Sequence, residues 1–472
     1  MVERIGPGDQ VQLATDVGPV PMNVGAILNL GGSPDPDIVV EMLLRRVPRI
    51  PRLRQVLTTP PWGLGRPYWL EPAGVDLRGH VVQVRCPAPG DVDALLAVAV
   101  EAVTRPLPRS RPLWRAVVVS GLADGSVGVV IVLHHVLADG IGGLGVLARL
   151  VDRERGAPDG TAAAVTGPAA MGAASRGPGS RGPGSTDKSP APHAAGPLAA
   201  PRTVDLLADV LRERWQTVRG LRGLGARLSR ARTELGRRAG HQRPGAPRCS
   251  LDAPTGPRRA VATVEVELTP LRAAARQHGA TVNDALLVAT TGAMTTALRS
   301  RGETTRDLVV SVPVSARVEA GDALGNQVGV MPVRVEVGGT VAERLVRVAE
   351  TTRAQKTHVR GTSAALVGPA FRLLAAVGAF RWFVDRQRLV NTFLTNLPGP
   401  VSRLSLAGAP ILRIAPVTIT AGNVGVAFAA LSYAGRLTVT VIVDPDVVPE
   451  LGTIASALAD ELAAITAAGG GR

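Results

Sequence analysis

The sequence predicts an α/β (α+β) protein made of two halves of similar size. Strand-like runs alternate with helix-like runs in residues 1–155, and the same alternation returns in residues 260–472. Residues 156–200 between them are rich in Gly, Pro, Ala and Ser, which bury too little apolar surface to offset the entropy of an ordered chain. Two folded halves joined by a flexible linker imply a cleft between them, which is a usual place for a ligand.

The first half contains two clear strand signals and two clear helix signals. Val117–Ser120 and Val127–Leu133 are short, apolar and rich in β-branched residues, which is typical of buried strands. Pro36–Arg46 and Val92–Val103 show the spacing of apolar residues that predicts helices. We therefore expect a sheet covered by helices in residues 1–155.

Residues 201–240, after the linker, predict a basic amphipathic helix from about Thr203 to Arg238. Its apolar residues recur at intervals of three, four and seven, with arginines on the other face: Leu207, Leu211, Val218, Leu221, Leu224 and Leu228. Two interpretations remain open, because such a helix can pack on the body of the protein or lie on an anionic lipid surface. The 45-residue linker before it has no functional interpretation of its own.

The second half repeats the strand and helix signals. Val261–Leu268 and Leu308–Val314 are expected to be strands, and Thr269-Pro270 is expected to start a helix that runs to His278. The apolar stretch Ile414–Gly435 is long enough to be tested as a membrane span. Because Pro, Thr, Asn and Gly interrupt it, two core strands explain it better.

Composition excludes several classes of protein. The net charge of +15 comes almost wholly from arginine, since Lys188 and Lys356 are the only lysines, and aromatic residues make up only 3% of the chain. Such a chain lacks the aromatic side chains on which bases stack, so we expect no nucleic-acid partner. Two cysteines, Cys86 and Cys249, are too few for a disulfide framework. Without a secretory signal pattern, we expect a cytoplasmic protein or one attached to a membrane surface.

The strongest chemical signal is His134-His135-Val-Leu-Ala-Asp139-Gly140, which directly follows the strand Val127–Leu133. On uniform residue usage, about 0.003 accidental matches to H-H-x-x-x-D-G are expected over this length. Successive residues of a strand point to opposite sides, so only one of the two histidines can face a given cleft. A neutral imidazole there is a general base for a hydroxyl group. Two structural histidines followed by an Asp-Gly turn remain the alternative.

Other site chemistries fit this segment less well. Zinc would need a third ligand and a helical H-x-x-x-H pair, and the adjacent histidines do not supply one, so we expect no metal. The G-x-S-x-G motif of a serine hydrolase is absent. Gly140–Gly145 matches G-x-G-x-x-G, but six residues separate it from the end of the strand at Leu133. A dinucleotide site has its glycines directly after the strand.

With its histidine motif and the segments around it, the chain resembles the bacterial wax ester synthase/acyl-CoA:diacylglycerol acyltransferases (WS/DGAT), within the chloramphenicol-acetyltransferase-like superfamily. The matching segments cover nearly the whole chain in the expected order: Pro21-Met-Asn-Val-Gly25, Pro112-Leu-Trp114, the histidine motif, Asn283-Asp284, Ser311–Arg317, Gly325-Asn-Gln327 and Thr395-Asn-Leu-Pro-Gly-Pro400. The resemblance implies two subdomains, each a mixed sheet with helices, and an active site in a tunnel between them.

The resemblance also implies roles for individual residues. His135 would be the general base of a direct transfer from acyl-CoA, and Asn283 is our candidate donor to the oxyanion, with a plain helix cap as the alternative. Asp139 would orient the loop by pairing with an arginine such as Arg317, and His134 would pack against or hydrogen-bond His135. Pro112-Leu-Trp114 would be structural, with Trp114 packing under the strand that carries the histidines. Gly140, Thr395 and Asn396 are assigned to the coenzyme side, although Thr395-Asn396 and the following Pro-Gly turn could simply reverse the chain.

The implied partners are lipids. They are a long-chain acyl-CoA as co-substrate, diacylglycerol or a long-chain alcohol as acceptor, and the inner face of the plasma membrane or a lipid droplet as the place of attachment. No bound cofactor is implied. Two departures from the family pattern leave the choice of acceptor open, because Asn23 stands where the family usually has His and Asp16 where it usually has Glu.

Two rival functions remain. A condensation-type or polyketide-associated acyltransferase shares the histidine motif but takes its acyl group from a carrier protein. A non-catalytic lipid-binding or lipid-droplet protein is the other.

Overall fold

The computed structural model describes residues 3–61, 65–153, 207, 209, 210, 212, 245–315, 328–358, 374 and 377–469. Residues 3–153 form helices α1 (Pro7–Thr15), α2 (Pro36–Arg46), α3 (Val92–Thr104) and α4 (Gly140–Leu150) and strands β1 (Asn23–Leu30), β2 (Val56–Thr58), β3 (Tyr68–Leu70), β4 (Val81–Arg85), β5 (Trp114–Ser120), β6 (Val127–His134) and β7 (Asp152–Arg153). The later residues form helices α5 (Leu268–Gln277), α6 (Val282–Ser300), α7 (Val341–His358), α8 (Phe380–Val384) and α9 (Leu451–Ala468) and strands β8 (Ala260–Glu267), β9 (Asp307–Ser315), β10 (Val328–Glu336), β11 (Thr392–Pro398), β12 (Leu404–Leu406), β13 (Ala409–Val417), β14 (Val426–Tyr433) and β15 (Arg436–Val443).

The first large sheet has the order β4-β5-β6-β1-β13-β12-β7. Only β4 and β5 are parallel neighbours, so the sheet is mixed. Strands β12 and β13 follow residue 400 in the sequence, yet β13 pairs with β1 over Gly25–Leu30. The second half of the chain therefore supplies part of the first half's sheet.

The second large sheet has the order β10-β9-β11-β14-β15-β8. Strand β11 is parallel to both of its neighbours, and the other pairs are antiparallel. Alternate side chains of β14 face opposite sides. Phe428 and Ala430 pack with α6 and α9, whereas Ala429 and Leu431 join the core of the first sheet. Both faces of this sheet are thus covered, and the two halves share one continuous apolar contact.

The two mixed sheets with helices confirm the predicted fold class. Helix α2 has the predicted bounds, and α3, β5, β6, β8 and β9 agree with the sequence-based ranges to within about three residues. The stretch Ile414–Gly435 contains the end of β13 and all of β14, as expected for two core strands. The division of the chain into segments at 155, 200, 240 and 260 stays a prediction.

Several sequence-based predictions fall outside the described residues. They are the linker at 156–200, Arg317, and most of the basic helix at 201–240, of which the structure describes four helical residues, Leu207, Asp209, Val210 and Arg212. The two interpretations of that helix therefore both remain open.

Of the helices that the structure describes, α9 is long and apolar enough to cross a membrane by length and composition. Its side chains Ile454, Leu458, Leu462 and Ile465 are buried in the second core. Helix α9 packs on α6 and β8. Packing therefore accounts for its apolar sequence, since one apolar face is what a core-facing helix needs.

Candidate active site

The histidine pair lies where strand β6 ends. All eight residues of β6 are buried, and the strand ends at His134, which is 4% exposed. His135 follows as a partly exposed residue, and the next four residues, Val136 to Asp139, are buried again. The strand exit thus separates the two imidazoles, with one in the protein and one accessible from outside, as the alternation along a strand predicts.

The ring of His134 is fully committed to hydrogen bonds. The backbone N–H of Val136 donates to its Nδ1 over 3.1 Å, so this nitrogen carries no proton. The other ring nitrogen, Nε2, then carries the proton and donates to Asp16 Oδ2 over 3.2 Å. Both ring nitrogens of His134 thus bond to groups other than the ring of His135. The expectation that His134 packs against or hydrogen-bonds His135 stays a prediction.

Asp16 gathers three donors on one carboxylate. Besides His134, the backbone N–H of Met22 donates to Oδ1 over 3.0 Å, and Arg109 Nη2 donates to Oδ2 over 3.0 Å. Burial raises the pKa of this carboxyl, but the hydrogen bonds and the positive charge around it prevail and lower the pKa to about 2. Asp16 is therefore ionised at neutral pH.

The backbone around His135 is tied to the same region. The N–H of His135 donates to Met22 O over 2.7 Å, and the N–H of Leu137 donates to His134 O over 2.8 Å. Asn23, which follows Met22, is fully buried and donates through Nδ2 to the carbonyls of Val103 and Arg105. The opening segment of the chain therefore supports the histidine turn from one side.

The Pro-Leu-Trp motif supports the turn from the other side. The N–H of His134 donates to Leu113 O over 3.0 Å, and Trp114 pairs with Leu133 across β5 and β6. Trp114 is buried, its Nε1 donates to Leu53 O over 2.7 Å, and His80 stacks on its ring. The structural role predicted for this motif is confirmed.

Asp139 caps the helix that follows the histidines. It is 1% exposed, and its Oδ1 accepts the N–H of Gly142 over 2.8 Å at the start of α4. A carboxylate at this position also stabilises the positive end of the helix. The predicted partner Arg317 lies outside the described residues, so that ion pair stays a prediction.

Gly140 brings the two halves of the protein into contact. A Cβ atom built on this residue would lie 2.6 Å from Leu397 Cδ2, closer than real side-chain contacts allow. The backbone of Gly140 is not left-handed, so conformational freedom is not its reason. Glycine suits this position because the side chain of Leu397, from strand β11, lies against the first residue of α4. Its assignment to the coenzyme side stays a prediction.

Asn283 and Asn396 meet at the same junction. Asn396 Nδ2 donates to Asn283 Oδ1 over 2.9 Å, although 113 residues separate them. The cap of helix α6 is Thr281, whose side chain accepts the N–H of Asp284 while Asp284 bonds back to Thr281. The interpretation of Asn283 as a plain cap is therefore wrong. Within the described part of the chain, no hydrogen bond uses Asn283 Nδ2.

Thr395 and Asn396 lie inside strand β11, in register with Ala429 and Ala430 of β14. They therefore do not reverse the chain themselves. The strand ends at Pro398, and Gly399 follows in close contact with Ser432 of β14. The side chains of Thr395 and Asn396 are partly buried. Contact of either residue with coenzyme A stays a prediction.

Between the two halves, a cavity of about 10 Å³ is lined by residues of α3, β8, β13 and β15, including Val103, Val261 and Ile442. This space suits about one water molecule, and the predicted tunnel for lipid chains stays a prediction. Within the ranges that the structure describes, no group of three or more His, Cys, Asp or Glu side chains could hold a metal ion.

Residues 5–286 match the wax ester synthase/diacylglycerol acyltransferase catalytic domain, and residues 324–466 match the WS/DGAT C-terminal domain.

Two curated relatives are similar along nearly their whole length. A probable diacylglycerol O-acyltransferase of Mycobacterium tuberculosis strain H37Rv is 28% identical over 459 residues, covering 95% of this chain and 92% of that protein. A putative diacylglycerol O-acyltransferase of the same strain is 25% identical over 496 residues, covering 98% of this chain and 89% of that protein.

Solved structures show the same fold. A wax ester synthase/diacylglycerol acyltransferase from Marinobacter aquaeolei VT8 aligns with a TM-score of 0.66 at 22% identity, covering 99% of this chain and 100% of that one. The first condensation domain of the calcium-dependent antibiotic synthetase aligns with a TM-score of 0.60 at 19% identity, covering 98% and 96%.

Proposed function

Because the chain belongs to the wax ester synthase/diacylglycerol acyltransferase family, we propose that it transfers a long-chain fatty acyl group from acyl-CoA to diacylglycerol or a long-chain alcohol. The observation that carries this proposal is the partly exposed His135 beside a fully committed His134. Gly140, five residues further on, lies against Leu397 of β11 at the junction of the two halves, and Asn396 of the same strand bonds to Asn283. The accessible imidazole supplies a base, and the junction supplies hydrogen-bond donors.

His135 acts as the general base in this proposal. It takes the proton of the acceptor hydroxyl while that oxygen attacks the thioester carbonyl. The tetrahedral intermediate then collapses, the carbon–sulfur bond breaks, and the imidazolium returns its proton to the thiolate of coenzyme A. Base catalysis of this kind contributes about 10²–10⁴-fold to the rate.

Asn283 stabilises the oxyanion of the intermediate in this proposal. Its Oδ1 accepts the hydrogen bond from Asn396, which directs the amide so that Nδ2 faces away from that partner. An amide N–H at the start of a helix can then donate to a developing negative charge, with the positive end of α6 adding to the attraction. A single donor of this kind contributes about 10²–10³-fold.

The acceptor places the enzyme at a lipid surface in the same proposal. Diacylglycerol and long-chain alcohols partition into bilayers, so turnover of these acceptors requires contact with the inner face of the plasma membrane or with lipid droplets. The basic helix expected at 201–240 would supply this contact, and replacing its arginines with glutamine should lower binding to anionic liposomes without lowering turnover of a short soluble alcohol. Unchanged liposome binding would remove the helix from this role.

The test is to incubate the purified protein with palmitoyl-CoA and a panel of acceptors, and to follow thiol release and lipid products. We expect a His135→Ala variant to lose about 10²–10⁴-fold in kcat. His278→Ala is the matched control, because His278 is another partly exposed histidine, at the end of α5, and should leave kcat unchanged.

Full activity of His135→Ala would contradict the assignment of the base. Transfer from an acyl-carrier protein but not from palmitoyl-CoA would favour a condensation-type enzyme. Lipid binding without any thiol release would favour a non-catalytic lipid-binding protein.

A further inference from the structure

Asp16 is connected to both peptide groups that flank His135. One connection runs through the ring of His134 to the N–H of Val136, and the other runs through the backbone of Met22 to the N–H of His135. We propose that Asp16 is the positioning residue of His135, because it holds the two peptide planes that set the direction of this side chain. The inference rests on the proposed role of His135 as the base.

The first connection depends on a single tautomer of His134. Asp16 Oδ2 can only accept, so it retains the proton on Nε2 of His134 and leaves Nδ1 free of a proton. Only this tautomer can accept the N–H of Val136 on Nδ1. The carboxylate thus fixes the peptide plane after His135 through the protonation state of its neighbour.

The second connection fixes the peptide plane before His135. Asp16 Oδ1 accepts the N–H of Met22, and the carbonyl of the same residue accepts the N–H of His135 over 2.7 Å. With both planes held, the backbone dihedrals of His135 are held as well, and its side chain leaves the backbone in one direction.

The charge of Asp16 suits this task. The same hydrogen bonds keep its pKa far below neutrality, so the carboxylate remains an acceptor over the pH range in which an imidazole base works. Arg109 Nη2 approaches Oδ2 from the exposed side, and its guanidinium side chain is 62% exposed. The buried contacts with His134 and Met22 are the ones that hold the turn.

The test is the nearly isosteric variant Asp16→Asn. An amide can accept from Met22 or from His134, but its NH₂ group then faces the other donor, so one of the two connections must break. Since a displacement of 1 Å in a catalytic group can cost about 10²-fold, we expect kcat to fall about 10–100-fold while KM for palmitoyl-CoA stays within about twofold. Asp16→Glu, which keeps the carboxylate, should retain more activity than Asp16→Asn.

Asp9→Asn is the matched control. Asp9 is a second buried carboxylate of the opening segment, and it accepts a backbone N–H, that of Gly6, over 3.0 Å. This variant should perturb the opening segment to a similar extent and leave kcat unchanged.

A second readout does not depend on activity. In protein labelled with ¹⁵N at histidine, nitrogen chemical shifts should show His134 as the Nε2–H tautomer. The signal of His134 is assigned as the one that disappears in a His134→Asn variant. Asp16→Asn should change this signal. If the parent protein releases no thiol, the proposed function fails. The tautomer of His134 still tests the connection through Asp16, because an unchanged signal in Asp16→Asn would show that Asp16 does not set it. If the parent is active and Asp16→Asn keeps its kcat, or loses no more than Asp9→Asn, the positioning role is overturned.

Discussion

Gly140 lies at the junction between the two halves, where the side chain of Leu397 leaves no room for a larger residue. In Gly140→Ala, the new Cβ would lie 2.6 Å from Leu397 Cδ2 and 3.1 Å from Cδ1, against ordinary contacts of 3.4–4 Å. The end of the Leu397 side chain must therefore move by roughly 1 Å. Overpacking that the surrounding side chains do not absorb costs about 1–3 kcal/mol. Asn396 is the preceding residue of the same strand, so the part of this movement that extends to the backbone of β11 reaches the hydrogen bond to Asn283.

Replacing glycine with alanine inside a helix also has a stabilising effect, which opposes the cost of the close contact. Alanine stabilises a helix over glycine by about 0.5–1 kcal/mol. Gly145 isolates this effect, because it lies in the same helix and a Cβ there has no atom within 4 Å. We expect Gly145→Ala to raise the free energy of unfolding by about 0.5–1 kcal/mol. The free energy of unfolding of Gly140→Ala should be about 1–3 kcal/mol lower than that of Gly145→Ala.

The assays are urea unfolding and transfer from palmitoyl-CoA. Gly140→Ala should also lower kcat/KM several-fold, whereas Gly145→Ala should not. Leu397→Val removes both Cδ atoms, so adding it to Gly140→Ala should cost less than the two single changes together, by about 1 kcal/mol or more. Equal stability of the two alanine variants, with additive behaviour of the double variant, would refute the close contact between α4 and β11.

Three further predictions concern other residues of the structure. Asn283→Ala should lower kcat and kcat/KM for palmitoyl-CoA by a similar factor of about 10²–10³, and an unchanged kcat would place the oxyanion donor elsewhere. Burial raises the pKa of Asp252 from 3.8 to about 6, so the folded state binds this proton more tightly than the unfolded state does. The stability that the bound proton gives is fully present below pH 4 and is lost as the pH rises through 6. Urea unfolding should therefore show Asp252→Asn gaining about 2–3 kcal/mol relative to the parent between pH 4 and pH 7, and parallel pH profiles would contradict this. Trp114→Phe removes the donor to Leu53 O inside the core and should lower the free energy of unfolding by about 1–3 kcal/mol in chemical denaturation, whereas an unchanged midpoint would show that this hydrogen bond contributes little.

The parts of the site that depend on local sequence could be predicted. The apolar run of β6 fixes where His134 and His135 leave the sheet, and alternation along the strand separates their environments. The bounds of α2 followed from Pro36 at its start and from its apolar spacing. These features are set by residues within about ten positions of each other, which is the range over which sequence patterns act.

The parts that depend on distant residues could not be predicted. His134 and Asp16 are 118 positions apart, and Asn283 and Asn396 are 113 apart, so no local pattern relates them. The role of Gly140 depends on a strand that arrives more than 250 residues later. One error did have a local signal, because Thr281 and Asp284 have the spacing of a capping box and indicate that Asn283 is not the cap.

The pairing of β1 with β13 has a consequence for synthesis of the protein. When the ribosome has released the first 153 residues, β1 has β6 on one side and an open edge on the other, because its second neighbour is not yet made. An unpaired strand edge can recruit another chain, and it stays open until residues 409–417 emerge. A gene fragment encoding residues 1–153 alone should therefore yield aggregated product, and coexpression with a fragment that carries β13 should recover soluble material.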